Sequence, residues 1–326
     1  MKTFTGVCAL ALVVGACSSS TNPFTATTGT TTPDPGTGTT SSAVPAVIAN
    51  DVDGISYDAA AQTLTVTGLT QDGTPLVNEY RHVATSFVAG YETFTAQNDP
   101  LGRHATAFVA SREGVQAGMV ITGGQFNKFF GGTQYSRDGA YEAPVAPEDR
   151  FDVTYHGNYA AGVNIQGPVT DLMPTVGLDD SIETSTQAGY IRGLMFVNVD
   201  LNDLSVEGQI YNRTRVGQLT PDTDPTVLGF QDLPSLVLVE GVLTDDGTFS
   251  GNIERDAEDG GTPGLKVGDF AGLIGGPEGV TMAGGTNVTD FLPNVADTNE
   301  IEYGVFVLDL CQAGDTDTIC VNAQKP

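Results

Sequence analysis

The feature that most constrains the fold is a glycine-rich stretch near the end of the chain. Seven glycines fall between Gly268 and Gly285, in residues that otherwise resemble β-strands. Glycine inside a strand costs conformational entropy and leaves nothing to pack, so each one marks a bulge, a bend or a close backbone approach. We expect these glycines at the corners of a small closed or nearly closed β-barrel, where strands coil sharply.

Period-two alternation extends over most of the chain from Asp51 onward, and no stretch has convincing helical periodicity. The stretch Leu204–Tyr211 shows it best, with apolar residues or glycine at every second position. Asn202-Asp203 and Asp245-Asp246-Gly247 predict hairpin turns. Two short strands, Ile55–Tyr57 and Thr63–Thr67, are predicted first, followed by the hairpin His104–Gly124 and the short strand Lys128–Ser136.

Eight strand candidates follow the Gly- and Pro-containing boundary Arg137–Arg150. They are Phe151–Ile165, Tyr190–Leu201, Leu204–Tyr211, Ser235–Leu243, Thr248–Glu254, Lys266–Ile274, Val280–Val288 and Ile301–Leu310. Successive hairpins without helical crossovers pair antiparallel, and eight strands suffice to close a barrel filled by side chains. The predicted fold class is therefore all-β: an eight-stranded antiparallel β-barrel preceded by a small β-rich, handle-like subdomain.

The N-terminus predicts the compartment. Lys2 precedes the apolar run Val7–Val14, which is too short to span a bilayer, and Val14-Gly15-Ala16-Cys17 is similar to a bacterial lipobox. Lipidation (diacylglycerol, with a further acyl chain such as palmitate) is predicted at Cys17, and the alternative is an ordinary signal peptide cleaved near Ala16. Ser18 after the cysteine favours the outer membrane, on its periplasmic face or at the cell surface.

The next segment, rich in Thr, Ser, Gly and Pro, has no apolar periodicity and predicts a disordered tether. The predicted organisation is a lipoprotein signal peptide (1–17), the tether (18–47), the β-rich subdomain (48–149), the barrel (150–310) and a C-terminal tail (311–326). Loops on a rigid scaffold usually carry binding, so Gly167–Ala188 and Gly217–Pro234 are the candidate specificity elements.

Charge and motif content exclude several function classes. The formal net charge of −27 disfavours nucleic-acid binding, because phosphate backbones are repelled. No histidine pair among His82, His104 and His156 has metal-ligand spacing, and no cysteine is close to them in sequence. Neither a nucleophile motif nor a phosphate-binding glycine loop occurs. We therefore predict no enzyme activity, no metal and no cofactor.

Two acidic clusters and two cysteines remain. Asp222 with Asp224, and Asp256 with Glu258 and Asp259, lack the ligand spacing of a calcium loop and are interpreted as solvated loops, with Ca²⁺ as the alternative.

Cys311 and Cys320 are the only cysteines outside the signal and lipidation positions. In an oxidising compartment they predict a disulfide that would fix the C-terminal tail to the last strand. The alternative is a pair of free thiols or a weak metal pair.

The closing strands resemble one barrel family. Gly247, Phe249 and Gly251 match a Gly-x-Phe-x-Gly element, and Gly268–Gly272 begins a second, although Ala271 stands where the family usually has Tyr. These motifs are similar to those of transferrin-binding protein B and its relatives, which include factor H-binding protein. The resemblance implies a distant member of a family of surface lipoproteins that capture proteins and iron carriers.

The predicted function is that of an outer-membrane or cell-surface lipoprotein. It would bind a protein or small-solute ligand of unknown identity without catalysis, and its ligand-binding residues are unknown. The alternatives are a structural envelope lipoprotein without a dedicated ligand site, and an enzyme assembled from scattered carboxylates, which no spacing favours. The membrane is the only partner that the sequence indicates directly.

Overall fold

The computed structural model describes residues 43–69, 76–84, 87–147, 150–167, 171–177, 179, 182–217, 229–292 and 299–323. These residues form almost entirely β-structure, as the alternation predicts, with two short helices, α1 (Ala46–Ala49) and α2 (Thr318–Ala323). None of the helices found in these ranges has the length and apolar character needed to cross a membrane.

The first sheet is an antiparallel meander of seven strands. They are β1 (Val52–Asp58), β2 (Thr63–Gly68), β3 (Leu76–Val83), β4 (Glu92–Ala96), β5 (Ala105–Arg112), β6 (Val115–Thr122) and β7 (Gly131–Arg137). The first and last strands approach each other where Asp51 N donates to Gly131 O over 3.1 Å and Gln134 Nε2 donates to Val52 O over 2.6 Å. No ladder joins β1 to β7 in the described residues, so the sheet is nearly closed rather than closed.

The second sheet contains the barrel. Its strands are β8 (Asp152–Gln166), β9 (Ala188–Asp200), β10 (Ser205–Gly217), β11 (Gly229–Asp232), β12 (Leu236–Leu243), β13 (Thr248–Arg255), β14 (Lys266–Gly275), β15 (Thr281–Thr289) and β16 (Ile301–Leu310). Every neighbouring pair is antiparallel, and β9 also pairs with β10, which closes eight strands into a barrel. The short β11 pairs with the end of β10 outside this ring.

The predicted barrel is confirmed, and each of the eight strand candidates overlaps one barrel strand. Along β10, Val206, Gly208 and Ile210 are buried while Ser205 and Glu207 are exposed, as the alternation predicts. Three strands were not predicted: β3 and β4 in the first sheet, and β11, which lies within the segment predicted to be the loop Gly217–Pro234.

The glycines inside the barrel make room for aromatic rings. A Cβ added at Gly284 would lie 2.3 Å from the Phe306 ring and 2.3 Å from Ala271 O, and one at Gly272 would lie 2.5 Å from the Phe249 ring. Phe249 and Phe306 stack with their ring centroids 6.4 Å apart in the barrel core. The aromatic core therefore excludes side chains at these strand positions.

Other glycines allow the first sheet to approach the outer wall of the barrel. A Cβ at Gly285 would lie 2.5 Å from Thr133 of β7, and one at Gly162 of β8 would lie 2.4 Å from Ile121 of β6. These glycines were predicted to lie at barrel corners. They instead allow side chains and strands to approach both faces of the barrel wall closely. Between β14 and β15, Gly276 adopts a φ of 77°, which a turn without a Cβ readily allows.

A buried ion pair lies inside the barrel. Arg213 donates to Glu302, and neither side chain is exposed to solvent. The Tyr159 hydroxyl donates to Glu302 over 2.7 Å and hydrogen-bonds Thr286 over 2.8 Å, while the Arg213 guanidinium lies 5.3 Å from the ring centroid of Phe291. An interior charge needs such a partner and such hydrogen bonds to offset its desolvation.

Candidate functional site

The candidate site is the place where three connections from both sheets meet. The β4–β5 connection contains Leu101, and Gln125 of the β6–β7 connection donates from Nε2 to the Leu101 carbonyl over 2.8 Å. The β8–β9 connection joins them, because Thr186 N donates to Gly124 O over 2.9 Å and Gly124 N donates to Thr186 Oγ1 over 2.8 Å. These reciprocal bonds hold the three loops together.

A cleft of about 340 Å³ opens beside this junction, between the β3–β4 surface and the β8–β9 connection. The side chains that give it its chemistry are polar: Glu79, Arg81, Thr95, Gln97, Asn98 and Asp171. Met173 N donates to Gln97 Oε1 over 2.7 Å, which fixes the connection against β4. A mixed-charge wall of this kind would bind hydrogen-bonding groups rather than an apolar ligand.

An ion pair spans the cleft. Arg81 Nη2 lies 3.5 Å from Asp171 Oδ1, and 64% of the Arg81 side chain is exposed against 19% for Asp171. An exposed pair of this kind contributes little to stability, since side-chain entropy and solvent screening offset the attraction. Arg81 is therefore free to exchange Asp171 for a ligand group at small energetic cost.

Behind the cleft lies a fully buried histidine. The Nε2 atom of His104 lies 2.7 Å from Thr95 Oγ1, and His104 N donates to Ser185 Oγ over 3.0 Å. Desolvation lowers the pKa of His104 to about 4, with a smaller lowering from Arg81 that Asp171 opposes. His104 is consequently neutral near pH 7, and its burial keeps it out of reach of any substrate.

The rim of the junction exposes large apolar side chains from each of the three connections. Leu101 is 45% exposed, Phe126 61% and Ile182 42%, and Met173 contributes a further partly exposed side chain. Phe126 also has a φ of 53°, an uncommon conformation for a bulky residue, and its amide donates to Glu183. Exposed apolar groups around a polar cleft are typical of a surface that another molecule covers.

The predicted specificity loop Gly167–Ala188 provides one wall of the cleft through Asp171 and Met173, and it also contains the exposed Ile182. Residues 168–170, 178, 180 and 181 of it lie outside the described residues, as do residues 218–228 of the second predicted loop. Arg81 and Gln97 were not predicted as site residues. Their signal was the alternation of polar residues at Glu79 and Arg81 in β3, and at Thr95 and Gln97 at the end of β4.

The other predicted positions are distributed over the molecule. Cys17 lies outside the described residues, and so do Asp222 and Asp224. Asp256 Oδ1 accepts a hydrogen bond from Glu258 N over 2.9 Å, and Asp259 Oδ2 accepts one from Ser235 N over 2.7 Å. These carboxylates therefore bind loop backbone.

The predicted disulfide between Cys311 and Cys320 is present, with an S–S distance of 2.00 Å.

The three histidines have different hydrogen-bond partners. His82 Nε2 lies 2.7 Å from Glu92 Oε2, whereas His156 Nε2 lies 3.1 Å from the Tyr211 hydroxyl on the barrel wall. Each histidine thus has its own separate environment.

A second concavity, of about 470 Å³, lies on the outer wall of the barrel over β9, β10 and β12. Its side chains include Phe196, Val237 and Val239, with Glu207 and Glu240. It involves strands of a single sheet rather than converging loops, which makes it a suitable control surface for the cleft.

No family model matches the sequence, and no curated protein matches it. The chain is similar to solved structures of transferrin-binding protein B. A double mutant from Haemophilus parasuis Hp5 has 11% sequence identity and a TM-score of 0.36, with 77% of this chain and 51% of that chain covered.

The intact Ap-TbpB, with its N and C lobes, has 11% identity and a TM-score of 0.36, with coverages of 77% and 52%. The isotype 1 protein from serogroup B Neisseria meningitidis has 10% identity and a TM-score of 0.31, with coverages of 78% and 51%. The chain spans about half the length of these structures. They bear the name of the family that the closing-strand motif resembles.

Proposed function

We propose that this chain is an outer-membrane lipoprotein, anchored through Cys17, that binds a protein or small-solute ligand without catalysing a reaction. The observation that carries the proposal is the convergence of three loops from two sheets on one polar cleft with an apolar rim. Rigid strands present these loops, which is the usual arrangement of a binding surface.

The chemistry of the junction supports binding over catalysis. His104 is fully buried, and its short contact is with Thr95 rather than with an exposed nucleophile. Arg81 offers hydrogen-bond donors at the surface instead, and Gln97 and Asn98 each have a second amide hydrogen besides the one donated to Gly102 O or Asn78 Oδ1. Such donors recognise carboxylates, carbonyls and hydroxyls of a partner, while Phe126 and Leu101 would contact its apolar groups.

The binding proposal is tested with two sets of surface substitutions. Immobilised wild-type protein, the junction variant Arg81→Glu/Met173→Ser/Phe126→Ser and the wall variant Glu207→Lys/Val239→Ser are exposed to native extract, and bound proteins and small solutes are identified by mass spectrometry. We expect a set of molecules that the wild type and the wall variant retain and the junction variant loses. If all three retain the same set, the cleft is not the binding site; if none retains anything, the structural-lipoprotein alternative is favoured.

The anchor is tested separately. Metabolic labelling with a clickable fatty acid should mark the wild type and leave Cys17→Ser unlabelled, and the label should fractionate with outer membranes. Equal labelling of both proteins would contradict lipidation at Cys17 without affecting the proposal for the cleft.

A further inference from the structure

The C-terminal disulfide lies beside a histidine of the barrel wall. Cys311 directly follows β16, and Cys320 is buried in α2, which packs on β8. This packing places Cys320 next to His156, although 164 residues separate them in sequence. His156 Nδ1 also lies 3.7 Å from Asp317 Oδ1.

Five side chains with metal-binding atoms meet here in two overlapping groups that share Cys320. One group adds His156 and Asp317 to Cys320, and the other adds Cys311 and Asp315. Within each group the donor atoms lie within 4.8 Å of one another. Ligands around one tetrahedral zinc ion are separated by roughly 3.5–4 Å, so small side-chain movements would complete such a sphere.

The histidine is oriented as a metal ligand requires. Its Nε2 atom lies 3.1 Å from the Tyr211 hydroxyl, so a hydrogen bond holds the ring and leaves Nδ1 facing Asp317. Zinc-binding histidines almost always use their second ring nitrogen in this way. The ring is 12% exposed, which would shield a bound ion from most of the solvent.

We propose that reduction of the Cys311–Cys320 disulfide converts this cluster into a binding site for one zinc-like divalent ion. Its ligands are the two thiolates, His156 Nδ1 and a carboxylate of Asp315 or Asp317. Thiolate and imidazole donors select zinc over calcium or magnesium. Disulfide sulfurs carry no thiolate charge, so the oxidised protein has no such site.

An external thiol is the reductant for the Cys311–Cys320 disulfide. The S–S bond breaks as it accepts two electrons, each cysteine sulfur gains a proton, and two reductant thiols join in one disulfide. Cys311 is half-buried and its neighbours are exposed, which gives the reductant access. Metal binding then releases the two cysteine thiol protons.

Hydrogen bonds hold the ligands close without the covalent bond. Cys311 N donates to Thr154 O over 2.8 Å, which ties this residue to β8. Gln312 N donates to Asp315 Oδ2 over 2.6 Å, and Ile319 N donates to Asp317 Oδ1 over 2.8 Å. The chain between the cysteines is therefore fixed at several points.

The test uses cobalt(II) as a spectroscopic probe for the zinc site. Full-length protein carrying Cys8→Ser and Cys17→Ser is reduced with dithiothreitol, desalted without oxygen and titrated with Co²⁺. We expect the absorption bands of tetrahedral thiolate-ligated cobalt to saturate at one equivalent and to disappear when Zn²⁺ is added. The oxidised sample should show no such bands, and Zn²⁺ should protect both thiols of the reduced sample from alkylation.

Two histidine variants separate this site from simple chelation by two thiols. In the reduced protein, His156→Asn should weaken metal binding at least tenfold, whereas the matched control His82→Asn should leave it unchanged. If His156→Asn does not fold, as judged by circular dichroism, Asp315→Asn/Asp317→Asn is used with the same expectation. Absence of the bands, bands in the oxidised protein, or unchanged affinity in the ligand variant would each overturn the proposal.

Discussion

The barrel and the seven-stranded sheet differ in whether their two end strands pair with each other. The barrel closes through the long β9–β10 ladder. Its first cross-strand pair is Val199 with Val206, and its last is Tyr190 with Val216. No such ladder is present among the described residues of the seven-stranded sheet, and its barrel-facing side chains share one core with the outer wall of the barrel. The barrel therefore has an interior of its own, whereas the sheet completes one of its two cores with residues of the barrel.

The barrel interior and the interface between the two sheets also differ in the polar groups that they bury. The barrel interior contains a charged pair, Arg213 and Glu302, whose carboxylate also accepts a hydrogen bond from Tyr159. On the barrel-facing side of the sheet, His104 Nδ1, Thr93 Oγ1 and Thr106 Oγ1 are buried without a hydrogen-bond partner among the described atoms. Arg213 Nε is likewise buried without a partner among the described atoms, so the barrel interior differs in holding a paired charge, whereas the unpaired groups of the shared interface are neutral.

The largest expected effect follows from removing the buried cation inside the barrel. Arg213→Met leaves the Glu302 carboxylate buried without its cation, and we expect a loss of about 3–5 kcal/mol in the free energy of unfolding. Chemical denaturation measures the loss, and hydrogen exchange should show it first in β8, β10 and β16.

The double variant Arg213→Met/Glu302→Leu is the control for this change. Because it removes both charges, it should regain most of the lost stability. A loss below about 1 kcal/mol in Arg213→Met, or equal losses in the single and double variants, would show that the ion pair is not what the barrel interior depends on.

The second prediction compares one glycine from each sheet. Gly284→Ala places a Cβ 2.3 Å from both Ala271 O and the Phe306 ring, whereas a Cβ at Gly54 in β1 meets nothing within 4 Å. We expect a destabilisation of about 3 kcal/mol for Gly284→Ala and under about 0.5 kcal/mol for Gly54→Ala. Thermal and denaturant unfolding of the two variants gives the comparison, which comparable destabilisation would contradict.

The third prediction concerns pH and the shared interface. Because the pKa of His104 is lowered to about 4 from 6.5, the unfolded chain binds the proton first as pH falls. The free energy of unfolding should therefore have its full value above pH 6.5 and decrease by up to about 3 kcal/mol toward pH 4. His104→Gln should flatten this part of the pH profile.

Hydrogen exchange locates that effect. In the wild type, protection should decrease first in β4, which contains Thr95, and in β5, which His104 directly precedes, before the barrel strands respond. A pH profile that is the same in the wild type and in His104→Gln would contradict the assignment.

The smallest expected effect on stability lies at the cleft. Arg81→Ala removes an ion pair whose arginine is 64% exposed, so the free energy of unfolding should change by less than about 1 kcal/mol. Binding of any molecule that the junction retains should nonetheless weaken measurably in surface plasmon resonance. A large stability loss with unchanged binding would reverse the roles that we assign to Arg81.

The sequence predicted the barrel well because its walls have one apolar face and one polar face. β10 shows the simplest case, since Glu207 faces solvent and Val206 faces the core. β3 and β4 were missed because their faces do not separate in this way. In β4, Thr93 and Thr95 are buried although they are polar, and in β3, Glu79 and Arg81 face the cleft.

The site was less predictable than the fold because it depends on approaches between distant segments. Asp171 and Arg81 are separated by 90 residues, and no local pattern connects them. The same holds for His156 and Cys320, which are 164 residues apart. The disulfide was predictable because only two cysteines remained once Cys8 and Cys17 were assigned to the signal and the lipid anchor.

The pairing of β8 with β16 has a consequence for the order of folding. These strands are the first and the last of the barrel, and Glu302 pairs with Val163 across a separation of 139 residues. Contacts of such long range make folding slow, because a large loop must close before they form. During synthesis the ring stays open until Ile301–Leu310 has emerged, so β8 and β15 have no neighbour on one side until then. A chain that is interrupted before residue 301 would therefore expose two strand edges to other chains, and aggregation rather than partial function is its expected fate.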